Sequence, residues 1–162
     1  MTRCYIDTNF LYLHLRQRED PDVRTWRERL EAELAGEPGV ISPLVLDELA
    51  YRSVLAWLRD EGDPNPMTTW RNSASAVMRK MRARLDRLWN AVDDLAFELA
   101  ATDRSVAQQA KRFMSDPGLA PRDAFHAAHA FDAGCTVIAS SDPDYDQLPG
   151  LRRRDVGSNG DV

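Results

Sequence analysis

The sequence predicts an α/β fold built on a mainly parallel sheet flanked by helices. Three observations point there. Short apolar runs (Cys4-Tyr5-Ile6, Val40-Ile41, Leu95 to Ala100, Cys135 to Ala139) alternate with helix-patterned stretches, the order that yields parallel strands joined by crossover helices. The acids Asp7, Glu48, Asp123, Asp142 and Asp146 stand just beyond those runs or in the early turns of helices. In an open α/β sheet the ligand crevice lies beyond the carboxyl ends of the strands, at a switch in strand order. The 162 residues, 43% hydrophobic and 29% charged, suit one globular domain with a substantial core.

Taken in order, residues 3–6 make the first strand. Residues 9–18 read as a helix with Phe10, Leu11, Leu13 and Leu15 on it. A second helix is expected from an Asp22 cap through Trp26, Leu30 and Leu34, stopping at Gly36. After Val40-Ile41, Ser42 is placed to cap a helix over about 43–60, with Pro43 in its first turn. Leu44, Tyr51, Leu55 and Leu58 share a narrow arc of that helix, and Glu48 lies inside the same arc, so Glu48 faces the interior. Val45, Leu46, Leu49 and Ala56 form a second apolar face, read as a surface for a second copy or a partner.

Gly62-Asp63-Pro64-Asn65-Pro66 is a turn. A long helical stretch follows to about residue 92, through Trp70, Val77, Met81, Leu85, Leu88 and Trp89. Asp103 caps a helix that Asp116-Pro117-Gly118 ends, and a helix over 122–133 closes on Gly134, a left-handed cap position. Residues 1–151 form the domain. Residues 152–162 are polar and expected to be a frayed tail.

Composition narrows the function. No apolar stretch approaches the roughly 18–20 residues that span a bilayer, and the start of the chain lacks a basic region followed by an apolar core. A cytoplasmic location is the expectation. Cys4 and Cys135 have no metal-binding spacing and read as buried free thiols. The net charge of −5 opposes general attraction to nucleic acid. Basic residues are grouped, however: Arg79, Lys80, Arg82, Arg84 and Arg87 on one helix, and Arg152-Arg153-Arg154 near the end. Such groups are either solvated faces or phosphate contacts.

The acids carry the chemistry. Carboxylates gathered at strand ends repel one another, so the cluster is costly without a cation. A hard divalent metal neutralises it most simply, and phosphoester chemistry is the simplest use of that metal. Each acid also has a structural reading: Glu48 as an Arg salt-bridge partner, Asp123 as a first-turn capping acid, and Ser141 to Asp146 as an acidic turn. Thr8 and Asn9 open a helix beside Asp7, where amides attract anions, or merely cap it. His126 and His129 rotate around their helix instead of sharing a face, so zinc is disfavoured and His126 reads as a packed or hydrogen-bonded residue.

Four segments in order now carry a likeness: Tyr5-Ile6-Asp7-Thr8-Asn9-Phe10-Leu11, Ser42-Pro43-Leu44-Val45-Leu46-Asp47-Glu48-Leu49, Leu119 to Ala128 around Pro121-Arg122-Asp123, and Ile138 to Asp146 around Ser141-Asp142. Together they resemble the PIN-domain family, particularly the ribonuclease toxins of VapBC-type toxin–antitoxin pairs. The resemblance implies a three-layer α/β sandwich and endoribonuclease activity dependent on Mg²⁺ or Mn²⁺. It makes Asp7, Glu48, Asp123 and Asp142 catalytic, with Asp7, Asp123 and Asp142 as metal ligands. Thr8, Asn9, Ser141 and Asp146 support them. Implied partners are an RNA substrate, a cognate antitoxin and a second copy of the chain. The helical stretch 62–92 is long for a minimal toxin of this type and leaves RNA selection open. A housekeeping RNA-processing nuclease, a DNA nuclease of the related 5′-nuclease group and a non-catalytic RNA- or protein-binding module remain the alternatives.

Overall fold

The computed structural model describes residues 3–16, 32, 34 and 36–155. The helix expected over 22–36 lies outside these residues, apart from a buried Leu34 and Gly36 at φ 73°.

In chain order the elements are β1 (Cys4–Ile6), α1 (Thr8–Arg16), β2 (Gly39–Ile41), α2 (Pro43–Asp60), α3 (Pro66–Asp93), β3 (Glu98–Leu99), α4 (Arg104–Ser115), α5 (Pro121–Asp132), β4 (Val137–Ala139), a 3-10 turn (Pro143–Gln147) and β5 (Arg152–Arg154). The five strands pair in the order β3-β2-β1-β4-β5, and every pairing is parallel. The chain thus steps outward from β1 to β3 on one side, then returns to lay β4 and β5 on the other. That reversal puts a switch point between β1 and β4, where a crevice opens beyond their carboxyl ends.

The central strands are short and wholly apolar. Tyr5, Ile6, Val40, Val137, Ile138 and Ala139 are buried, as strands covered by helices on both faces must be. Cys4 and Cys135 are buried free thiols, and burial pushes Cys4 up to about 12 and Cys135 up to about 11, which keeps both protonated. Gly39 opens β2 because a Cβ there would meet the Phe97 ring at 2.4 Å. Gly134 closes α5 at φ 70°, with the Cys135 amide bonded back to the Ala130 carbonyl at 2.8 Å. No helix among the described residues is long and apolar enough to cross a membrane.

Two expectations fail here, and one open reading narrows. The Val45, Leu49 and Ala56 side of α2 is not a free surface: all three are buried in the core, and Leu46 packs against it. α2 packs against both α1 and α3 and contributes to the common core, so an apolar arc on it could not reveal which side faced out. Leu44, Tyr51 and Leu55 are the partly exposed ones. The tail does not fray at residue 152, because Arg152–Arg154 pairs with Val137–Ala139 as the edge strand β5. Nor is that triplet a free basic patch. Arg153 is committed to Asp146 and Asp155, and Arg154 to Glu37 at 3.4 Å.

The helical extension is α3, 28 residues long, with non-helical dihedrals at Ser73. It packs on α2 through Val77, Met81, Leu85 and Leu88. Two of its cations turn back to Glu61, Lys80 at 2.5 Å and Arg84 at 3.3 Å, while Arg82 stands 4.0 Å from Asp86.

Candidate active site

β1 delivers Asp7 directly to the switch point. Its amide continues the β1–β4 ladder by bonding the Ala139 carbonyl at 3.1 Å. Its carboxylate Oδ2 accepts the Ser140 hydroxyl at 2.5 Å, and the same Ser140 Oγ accepts the Asp142 amide at 3.0 Å. Ser140 therefore ties the ends of β1 and β4 together. Ser141, the serine expected to support the site, is exposed instead. Side chains alternate along an extended chain, so when Ser140 turns inward Ser141 must turn out.

Asp123 sits in the first turn of α5, which starts at Pro121 without any side-chain cap. It does not serve as a cap; it converges with Asp142 and Asp144, whose carboxylate oxygens lie within 4.8 Å of its own. Asp144 was not expected there. A tight turn in which Asp142 accepts the Asp144 amide at 2.9 Å brings it in, and a chain reading cannot distinguish Asp144 from its neighbour Asp146. Asp146 goes elsewhere, forming two 2.9 Å hydrogen bonds with Arg153.

Electrostatics divide the acids. Burial raises the Asp7 carboxyl above the usual range, and the opposing effects of His126 and Ser140 do not offset it. Burial likewise raises Asp123, reinforced by the charges of Asp142, Asp7 and Asp144. Glu48 behaves oppositely. Burial alone would raise it, but the hydrogen bond and charge of His126, the Thr8 hydroxyl and the Arg122 guanidinium together hold it below the usual range. Its Oε2 accepts Thr8 Oγ1 at 2.8 Å and faces His126 Nε2 at 3.1 Å, while Oε1 lies 3.1 Å from Arg122.

The remaining predicted positions resolve as follows. Thr8 serves Glu48 instead of a bare helix end, and Asn9 accepts a hydrogen bond from Arg52, whose guanidinium covers the Tyr12 ring at 4.4 Å. Ser42 occupies the cap position of α2 without capping it; its hydroxyl is 2.7 Å from that of Tyr5. His126 is buried and hydrogen-bonded, as read. A cavity of about 520 Å³ between Tyr12, Trp57 and Leu88 is not lined by these acids.

An all-parallel α/β sheet with aspartates at its switch point, three of them close enough to share one ion, defines a protein with a carboxylate site suited to a hard cation. The chain belongs to the PIN-domain family, whose model matches residues 4–151. Among solved structures it is similar in fold to DNA-bound VapBC from Salmonella typhimurium, with 18% identity over 96% of this chain and 98% of that one and a TM-score of 0.54. It is also similar to VapBC2 from Rickettsia felis bound to a promoter DNA fragment, with 14% identity over 95% and 100% of the two chains and a TM-score of 0.56. No curated protein matches the sequence.

Proposed function

We propose that this protein is a divalent-metal-dependent endoribonuclease, and the toxin of a toxin–antitoxin pair. One observation carries the catalytic reading. Asp123, Asp142 and Asp144 converge within 4.8 Å beside the buried Asp7, and among the described residues no salt bridge reaches those three. An oxygen-only donor set fits Mg²⁺ or Mn²⁺ better than zinc.

In this reading Asp123 and Asp142 hold the ion together with Asp7, and Asp144 lies within reach of the same ion. When bound, it lowers the pKa of a coordinated water and neutralises charge on the attacked phosphate. The protein's own groups do the rest. Ser140 keeps Asp7 and the Asp142 backbone in register. Glu48, ionised, is held at Oε2 by Thr8 and His126 and lies 3.1 Å from the exposed Arg122 at Oε1, the oxygen from which it orients the attacking water. Purified protein should cut RNA with Mg²⁺ or Mn²⁺ and stop in excess EDTA. Cleavage that persists in EDTA, or undiminished in Asp7→Asn, would contradict the reading.

The fold likeness to two VapBC structures supports a cognate antitoxin partner, and a basic side chain that this partner places among the acids would silence the site. The PIN-family likeness also favours a homodimer, formed through a surface other than the buried Val45–Leu49–Ala56 side. Co-expression with the product of an adjacent small gene should restore growth that the protein alone arrests. Harmless overexpression, with no partner co-purifying, would move the assignment to a housekeeping nuclease.

A further inference from the structure

His126 uses both ring nitrogens, although it is buried to 1% exposure. Nδ1 lies 2.9 Å from the Tyr5 hydroxyl, which lies 2.7 Å from Ser42 Oγ. Nε2 lies 3.1 Å from Glu48 Oε2, the oxygen that also accepts the Thr8 hydroxyl. Ser42 and Tyr5 are fully buried and Thr8 nearly so. The chain of contacts runs from the end of β2 through β1 and α5 to α2, and α1 meets it at Glu48. Five elements therefore share one buried polar chain that terminates at an acid.

A buried chain of this kind is tolerated only when each member has its partner. The direction at its last link is fixed. A carboxylate can only accept, so Nε2 carries a proton whether the ring is neutral or charged. Tyr5 and Ser42 can each donate or accept, so the chain closes in either case. Glutamate is long and loses substantial rotamer freedom when held in one place. Two donors on Oε2 supply that restraint here and leave Oε1 towards Arg122, whose side chain is 64% exposed.

We infer that His126, backed by Tyr5 and Ser42, is a positioning residue for Glu48, fixing Oε2 so that Oε1 is presented to the reacting groups. This rests on the nuclease reading above. Its hydrogen bond on this side goes to Glu48 at 3.1 Å, while Asp7 Oδ1 stands farther off at 3.8 Å and none of the three converging aspartates is bonded to it, so the residue acts through Glu48.

The test uses the full chain in two measurements. In the first, protein labelled with ¹⁵N-histidine should show a slowly exchanging, downfield Nε2–H resonance that His126→Leu removes and Glu48→Gln shifts. In the second, His126→Leu should lower kcat by about 10- to 100-fold, the scale of a misplaced catalytic group, while KM for RNA and Mn²⁺ affinity hold nearly constant. His126→Gln can set an amide N–H where Nε2 stood and should recover much of the loss, with Tyr5→Phe falling between. If His126→Leu fails to fold, the Gln and Phe variants and the resonance decide. A missing resonance, wild-type kcat in His126→Leu, or no rescue by Gln overturns the inference while wild-type cleavage stands. A resonance that behaves as expected in a protein that cuts no RNA overturns the nuclease reading and the catalytic half of the inference, leaving only the contact.

Discussion

Glu48 and Asp123 stand on adjacent helices at one crevice, yet their carboxyls are driven in opposite directions. Glu48 is the more buried of the two, and it is held below the usual range; Asp123 is only half-buried, and it is raised. Burial disfavours charge at both, so burial cannot account for the difference. The neighbours can. Glu48 is hydrogen-bonded to His126 and Thr8 and faces Arg122, whereas at Asp123 the charge of His126 is outweighed by burial and by Asp142, Asp7 and Asp144. One half of the cluster is neutralised by the protein itself. The other is left for a cation that the protein does not supply.

The largest effect should come from the un-neutralised half. Asp123→Asn keeps shape and removes one charge, so RNA cleavage should fall by about 10³-fold, the several kcal/mol that a lost metal contact costs. The same substitution should raise the metal-free melting temperature, because it relieves repulsion. A lowered melting temperature would break the comparison. Glu48→Gln should do the reverse in EDTA, lowering stability by roughly 1–3 kcal/mol, since it strips the counter-charge from buried donors. Denaturant titration of both variants measures this.

Acidity sharpens the contrast further. Asp7 and Asp123 have raised folded values, so between their unfolded and folded values the folded state binds more protons. Their ionisation therefore subtracts stability as pH rises, and the relief is complete below the ordinary carboxylate value. Glu48, with a lowered folded value, adds stability above its ordinary value and loses it as pH falls through the folded one. Melting curves in EDTA should show the gain of Asp7→Asn over wild type shrinking on acidification, and the deficit of Glu48→Gln shrinking too. The smallest effect belongs to Arg122→Ala. The guanidinium is mostly solvated, so stability should drop by less than about 1 kcal/mol, measured by the same titration.

What the chain disclosed in advance follows the same division. Asp7, Glu48, Asp123 and Asp142 were legible because each position is set locally: the end of an apolar run, an arc of a helix, a first turn, the end of a strand. Strand alternation places Ser140 inward, but the family resemblance, in which a Ser or Thr often precedes the fourth acid, pointed to Ser141. Asp144 depends on the shape of one turn. An Arg partner for Glu48 was among the readings and Arg122 fills it, but the His126 link was beyond reach, since Tyr5 and His126 are 121 residues apart and His126 and Glu48 are 78 apart. Such contacts arise only when the sheet closes. The dimer face failed for a related reason, because the packing of α2 against α1 and α3 is not written in its periodicity.

The division of the cluster is tested most directly by titrating Mn²⁺ calorimetrically into wild type, Asp123→Asn and Glu48→Gln under identical conditions. Asp123→Asn should weaken binding by at least about 30-fold, and Glu48→Gln by no more than about 3-fold, as Coulomb attraction to a ligand and to a neutralised neighbour differ. Binding lost in Glu48→Gln and kept in Asp123→Asn would contradict the account.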